Sequence, residues 1–277
     1  MAWTRMAGAA ALALCLNAFA PYARAAEPPA PGASSRIDAI RKAGTLRVAV
    51  IANPPWLVQN TTGSGEPWSG PAWVLATEVA RRLGVRLEPV PVSNETKVPV
   101  LAANQVDISI APLAETEERL KVVDFVIYSS TSDCVFGLQS NPRFMAAKAI
   151  DDLNSPDITV AYLVGSSEEP WVKQRFDRAK LRGVISSAVV PVEEVMARRA
   201  DAVPLNRLQW PRLSKTVRGL AVLPRENNCQ DSTEKSQPVG MAIDKNQPAF
   251  LEFLRAVDAE LAPQLRAIEQ RIVENQM

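Results

Sequence analysis

From Arg36 onward, short runs of apolar, often β-branched residues alternate with longer stretches whose apolar residues recur at helical spacing. That alternation restricts the fold more than any other feature. Buried strands separated by amphipathic helices pack as helices layered on a largely parallel sheet, so the expected class is α/β. The spacing predicts strands at 46–52, 85–92, 106–111, 133–139, 158–163, 184–187, 201–205 and 238–243. It predicts helices at 36–43, 71–84, 94–104, 115–121, 167–180, 191–199, 206–214 and 247–274, the last broken near Pro263. Helix 71–84 is the best punctuated, with Pro71 at its start, apolar residues at 74, 75, 79 and 83, and Gly84 at its end. A chain of 277 residues is long enough for two lobes, each with its own core, and no repeat of solenoid period is present.

Composition then removes whole classes of chemistry. The chain has no histidine, which excludes Ser-His-Asp and Cys-His nucleophile pairs, His-ligated metals and His acid/base catalysis. We expect no metal and no cofactor. Lys and Arg number 31 against 30 Asp and Glu, so no basic face marks a nucleic-acid partner.

Residues 1–25 read as a secretory signal peptide: Arg5, the apolar run from Ala7 to Ala20, and the small-residue site Ala23-Arg24-Ala25. Cleavage is expected near Ala25, because a cut after Ala20 would place Pro21 first. Leu14 before Cys15 argues against a lipoprotein signal, and the expected product is periplasmic, soluble and monomeric. Residues 26–35 are rich in Pro, Ala and Ser and read as a flexible leader. Cys15 leaves with the signal; Cys134 and Cys229 remain, either as a disulfide or as two separate buried thiols. Exported proteins seldom keep unpaired thiols, which favours the disulfide.

The stretch LAANQVDISIAPLAETEERLKVVDFVIY (101–128) resembles the bacterial extracellular solute-binding proteins of the polar amino-acid uptake type. Those proteins show a helix, a Val-Asp strand, and a Thr-x-x-Arg turn closing on Val-Asp-Phe. Asp107, Thr116, Arg119, Asp124 and Phe125 fall in that register. GTLRVAV with NPPW, ARRLGVRLEPVPV, ITVAYLVGSS, ADAVPLN and PVGMAIDK follow in the family's order. The resemblance implies a type II, Venus-flytrap periplasmic binding protein. Lobe 1 would be 36–133 plus 244–277, lobe 2 would be 140–237, and the hinge strands would be 134–139 and 238–243. Because hinge strands run side by side in that family, it also gives Cys134 and Cys229 a way to meet. It implies a small polar or anionic solute bound between the lobes and delivered to an inner-membrane ABC permease.

Carried over residue by residue, Arg119 matches the arginine that grips a ligand carboxylate with two parallel hydrogen bonds, within the turn opened by Thr116. The competing reading is a solvated arginine beside Glu117, Glu118 and Lys121. Gly165, Ser166 and Ser167 open a helix after strand 158–163, where free N–H groups and the helix dipole suit an anion; Ser166 or Ser167 is alternatively only a cap. Trp56, after Pro54-Pro55, matches an aromatic wall of the pocket, or else a lid on the core; Trp68 and Trp73 read as packing. Two positions depart from the family. Ala114 stands where a hydroxyl helps hold the α-ammonium, and Asn206 stands where an Asp does, so that pole loses a hydroxyl and a charge. Glu115 is a candidate substitute. The alternative function is a periplasmic enzyme similar to cyclohexadienyl dehydratases, with Glu115 or Glu168 as general acid; no second catalytic partner falls in register, so no catalytic residue is assigned. A sensor-type binding protein is a third reading.

Overall fold

The structure, a computed structural model, describes residues 25–185 and 191–276. The expected signal segment, apart from Ala25, and residues 186–187 of the expected 184–187 strand lie outside the described residues. Among the described residues no helix is long and apolar enough to cross a membrane.

The elements in chain order are α1 (Ser35–Ala43), β1 (Thr45–Val50), β2 (Val58–Gln59), β3 (Trp68–Ser69), α2 (Pro71–Leu83), β4 (Arg86–Pro91), α3 (Pro99–Ala102), β5 (Ile108–Ala114), α4 (Glu117–Leu120) and β6 (Val123–Thr131). Then come β7 (Asp133–Leu138), α5 (Pro142–Ala146), β8 (Thr159–Leu163), α6 (Glu168–Arg175), β9 (Lys180–Val184), α7 (Val192–Met196), β10 (Val203–Asn206), α8 (Trp210–Thr216) and β11 (Leu220–Leu223). The chain closes with β12 (Gln237–Asp244) and α9 (Pro248–Gln276).

Two sheets organise these elements. The first has the order β4-β1-β5-β12-β6, with β1 parallel to β4 and β5, and β12 antiparallel to both neighbours. One face packs Val48, Ile108 and Met241 under Leu75 and Val79 of α2 and Phe250 and Leu254 of α9; the other buries Leu113 and Phe125 with Leu101. In the second, β7 pairs antiparallel with β10 and β11, and the parallel pair β8-β9 joins β10 through the Val160–Ala202 bridge. Its faces carry Phe136, Val203 and Val222 on one side and Val135, Val160 and Leu223 on the other. Burial on both faces is why these strands read as continuous apolar runs.

Several boundaries differ from the sequence reading, for physical reasons. The expected helix at 94–104 shrinks to α3, because Pro99 is tolerated in a first turn but not in a helix interior. Helix α9 runs unbroken through Pro263, whose ring lies on the exposed face. Strands β6 and β11 were not anticipated: β6 mixes buried residues with exposed Ile127 and Ser130, so it lacks a clean period.

Two segments join the lobes, and they lie beside each other. Asp133 N–H donates to Glu234 O at 2.7 Å and Ser232 Oγ donates to Asp133 O at 2.7 Å, while Ser132 Oγ donates to Ser232 O. The segments 134–139 and 238–243, expected as hinge strands, fall on β7 and β12. Strand β7 belongs to the second sheet and β12 to the first, so the crossings fall at Ser132 and in the stretch before Gln237.

Cys134 and Cys229 form a disulfide across 95 positions, with both residues buried in the second lobe's core. It ties the foot of β7 to the chain returning toward β12. Alkylation and intact mass of the oxidised protein should find no free thiol at either position. Replacing both cysteines with Ala should lower the unfolding free energy by about 2–4 kcal/mol in denaturant titrations.

Candidate functional site

A cavity of about 910 Å³, counting the space open to solvent, lies between the two sheets. The first lobe contributes the carboxyl ends of β1 and β5, through Asn53 and Ala114. The second contributes those of β8 and β10, through Leu163 and Asn206. That placement follows the rule for open α/β sheets, whose ligands sit beyond the carboxyl ends of the strands.

Arg119 enters from a turn the sequence builds locally. Thr116 caps α4, its hydroxyl accepting from Arg119 N–H at 3.3 Å. The short helix then carries the guanidinium back over the strand it has just left. Arg119 Nη1 donates to Ala114 O at 2.8 Å and Nη2 donates to Gly165 O of the other lobe at 3.2 Å. Burial pulls its pKa below the ordinary arginine value. Arg119 is therefore not a solvated member of a charged helix face, and Thr116, which does not line the cavity, acts on it through the cap.

The lobe-2 loop is arranged differently from the expected anion nest. Gly165 N–H is taken by Glu169 Oε2 at 2.8 Å, and Ser166 N–H donates to Leu163 O at 3.2 Å. Gly165 has φ +76°, and a Cβ there would lie 3.0 Å from the Glu95 backbone of the first lobe. Only glycine suits that conformation and that approach together. Ser167 makes no cap; its Oγ accepts from Lys235 Nζ and Gln237 Nε2, each at 3.2 Å. Ser166 Oγ and Asn206 Oδ1 line the cavity, buried and without an aligned hydrogen bond among the described residues.

Trp56 is both wall and core. It lines the cavity yet is only 2% exposed, and its indole N–H donates to Ser129 Oγ at 3.0 Å. Gly70 fixes its loop: Ala72 N–H donates to Trp56 O, and a Cβ on Gly70, at φ +104°, would strike that oxygen at 2.5 Å. Trp68 and Trp73 are buried in the same core. Ala114 lines the cavity with no side-chain acceptor, and Glu115 is absent from the lining.

The sequence reading missed the charges around this space. Lys97, in a polar stretch with no local mark of function, is 5% exposed and lines the cavity. Its Nζ donates to Asn94 Oδ1 at 3.0 Å and Pro112 O at 3.3 Å. Burial, helped by the Arg119 guanidinium and opposed by Glu168 and Glu95, pushes it down to about 7. Burial would raise Glu168, but Lys235, the nearby Ser166 hydroxyl, its own N–H and Lys97 outweigh that and hold it below its ordinary value. Behind them Asp133 is fully buried, its carboxylate 3.5 Å from Lys235 Nζ; burial and Glu168 push it well above the carboxylate range despite Lys235. Gln209, also missed, donates from Nε2 to Pro54 O of the opposite lobe at 3.0 Å. Among the described residues no cluster of His, Cys, Asp or Glu is arranged to hold a metal ion.

A cleft between two α/β lobes, closed by inter-lobe hydrogen bonds around a half-buried arginine, defines an extracellular solute-binding fold. Residues 46–273 match the model of the bacterial extracellular solute-binding proteins, family 3, and the chain belongs to that family. It is 24% identical to the L-cystine-binding protein TcyJ of Escherichia coli (strain K12) over 230 residues, 81% of this chain and 80% of that one. A shorter match, 39% identical over 88 residues, is to the membrane-bound lytic murein transglycosylase F of Vibrio cholerae serotype O1; it spans 31% of this chain and 16% of the transglycosylase. Among solved structures, the ancestral amino-acid-binding protein AncCDT-1, a precursor of cyclohexadienyl dehydratase, superposes with a TM-score of 0.72 at 26% identity, over 87% of this chain and 99% of that one.

The state of Lys97 has a measurable consequence for stability. Below about pH 7 its amine is charged in both folded and unfolded chains, and the burial cost is present in full. Between that value and the ordinary lysine range the unfolded chain binds more protons, so stability rises with pH. Lys97→Met removes the term. The difference in unfolding free energy between variant and parent should favour the variant below neutrality, by on the order of 5 kcal/mol, and shrink toward about pH 10. A difference that is flat with pH contradicts this account.

Proposed function

We propose that this chain is the periplasmic solute-binding component of an ABC-type importer. It closes its lobes as a monomer on a small carboxylate-bearing, amino-acid-like solute and presents it to an inner-membrane permease. The observation that carries the reading is Arg119. Its half-buried, planar guanidinium faces the cavity where the lobes meet and, among the described residues, donates to the neutral carbonyls of Ala114 and Gly165. A carboxylate meets that fork with two charge-assisted hydrogen bonds, which neither carbonyl matches. The amino-acid-binding and cystine-binding relatives support the same class of ligand.

The rest of the lining narrows the solute. Ala114 offers no side-chain acceptor and Asn206 offers a neutral one, buried and unpartnered. Among the described residues the one carboxylate in the lining, Glu168, already has Lys235 and Lys97 beside it. A free α-ammonium would be poorly compensated in a closed cleft, whereas a hydroxyl or a neutral N–H donor suits Asn206 Oδ1. A dehydratase-like reading has one observation in its favour, Glu168 in the cavity, but a general acid must be protonated at its working pH and Glu168 is held ionised.

A thermal-shift screen of amino acids, organic acids and N-modified amino acids, followed by calorimetry, tests the reading. Carboxylates with a neutral donor should bind best, and Arg119→Ala should weaken them at least about tenfold. Micromolar binding of a plain amino acid such as glutamine, unchanged in Arg119→Ala, would overturn both the arginine's role and the specificity.

A further inference from the structure

The cavity holds two cationic side chains, and one carboxylate accounts for only one of them. Lys97 and Arg119 both line it, from the loop before α3 and from α4. Lys97 is buried to the same degree as a core residue, yet its ammonium touches only neutral acceptors, Asn94 Oδ1 and Pro112 O. Among the described residues no carboxylate stands within ion-pair distance of it. Buried lysines are rarely left unpaired, because an uncompensated charge in a low dielectric is costly.

Three charged groups face Lys97. Arg119 from the first lobe opposes its charge; Glu168 from α6 and Glu95 from its own loop favour it. Neither glutamate closes a contact, and the favourable influence of Glu168 is shared with Lys235. Beside Glu168, Ser166 Oγ is buried, lines the same cavity and lacks an aligned partner. A hydroxyl donor and an ammonium thus border one space, and Glu168, which both influence, makes no ion pair with the ammonium among the described residues.

Resting on the reading of the cleft as a carboxylate site, we infer that the solute is a small dicarboxylate, one carboxylate gripped by Arg119 and the second seated against Lys97. The second carboxylate supplies the charge-assisted partner that Lys97 lacks. It also favours the protonated amine, which titrates near neutrality without it. Dicarboxylate binding therefore takes up a proton, and affinity strengthens as the pH falls through neutrality. A solute with an amide in place of the second carboxylate gains none of this.

Calorimetry on the oxidised mature protein tests the inference with three pairs differing by one charge: succinate and succinamate, glutarate and glutaramate, adipate and adipamate. For the pair of fitting length, the diacid should bind at least about tenfold tighter than its monoamide below neutrality, with the ratio narrowing above it. In Lys97→Met the ratio should fall below about twofold, and Lys97→Arg should keep the preference without its pH dependence. A ratio near one in the parent protein, a preference that survives Lys97→Met, or no binding by any of the six would overturn the inference. Arg119→Ala separates this from the broader reading. Monocarboxylates that bind through Arg119 with no preference for diacids would remove the second carboxylate alone, whereas carboxylate binding indifferent to Arg119 would remove the site itself.

Discussion

The structure turns on a guanidinium that cannot give up its proton and is nevertheless half-buried where two lobes meet. Arginine stays charged at any accessible pH, so its surroundings must supply acceptors. Here they come one from each side, Ala114 O from the lobe that carries Arg119 and Gly165 O from the lobe opposite. That requirement explains features far from the charge. Thr116 must cap α4 so that the side chain returns to the end of β5. Residue 165 must be glycine, since its carbonyl faces Arg119 while its Cα lies against the backbone of Glu95. The same cation links the lobes, because one fork of donors reaches a carbonyl of each.

A second set of charges sits where the chain crosses between lobes. Lys235, in a left-handed backbone conformation at φ +46°, reaches Gln237 Oε1 at 2.7 Å, Ser167 Oγ at 3.2 Å and the buried Asp133 at 3.5 Å. Ser167 opens the helix that carries Glu168, so one lysine at the crossing influences both the position of the second lobe and the charge inside the cavity. Opening the cleft would remove Ser167 from Lys235 and Gln237 and leave the Asp133 pair behind. The lobes therefore hold each other partly through their own groups. A solute shifts that balance only by what it adds to the closed arrangement over the open one.

Much of this was legible in the sequence, where the physics is local. Strand and helix alternation reports burial, and burial sets the sheet layers. The Thr-x-x-Arg turn is part of what carries the family resemblance, and through that resemblance Arg119 was accessible. What stayed hidden depends on which distant strand a segment joins. Residues 133–138 are apolar on both faces, and nothing in them says that their partners are β10 and β11. Lys97 sits in the polar run Ser93–Lys97, which reads as an exposed helix start, and only the packing of Pro112 and Asn94 around it makes it a cavity residue. The converse also holds: two motif acids serve structure, not ligand. Asp107 binds Arg47 and Arg36, and Asp124 binds Lys245.

A fold shared by solute binders and by a dehydratase lineage does not by itself separate binding from catalysis, and the carboxyls around the cavity bear on that choice. A carboxyl that acts as a general acid must keep its proton near neutrality and reach the solute. The cluster contains one of each property, on different residues. Asp133 has the raised pKa, yet it is wholly buried behind the lining. Glu168 reaches the cavity, yet Lys235 and Lys97 hold it ionised. Exchanging those roles would require removing Lys235 from the crossing, and with it the bonds to Ser167 and Gln237 that bring the lobes together. In this chain the interactions that close the cleft are the same ones that keep Glu168 ionised at its wall.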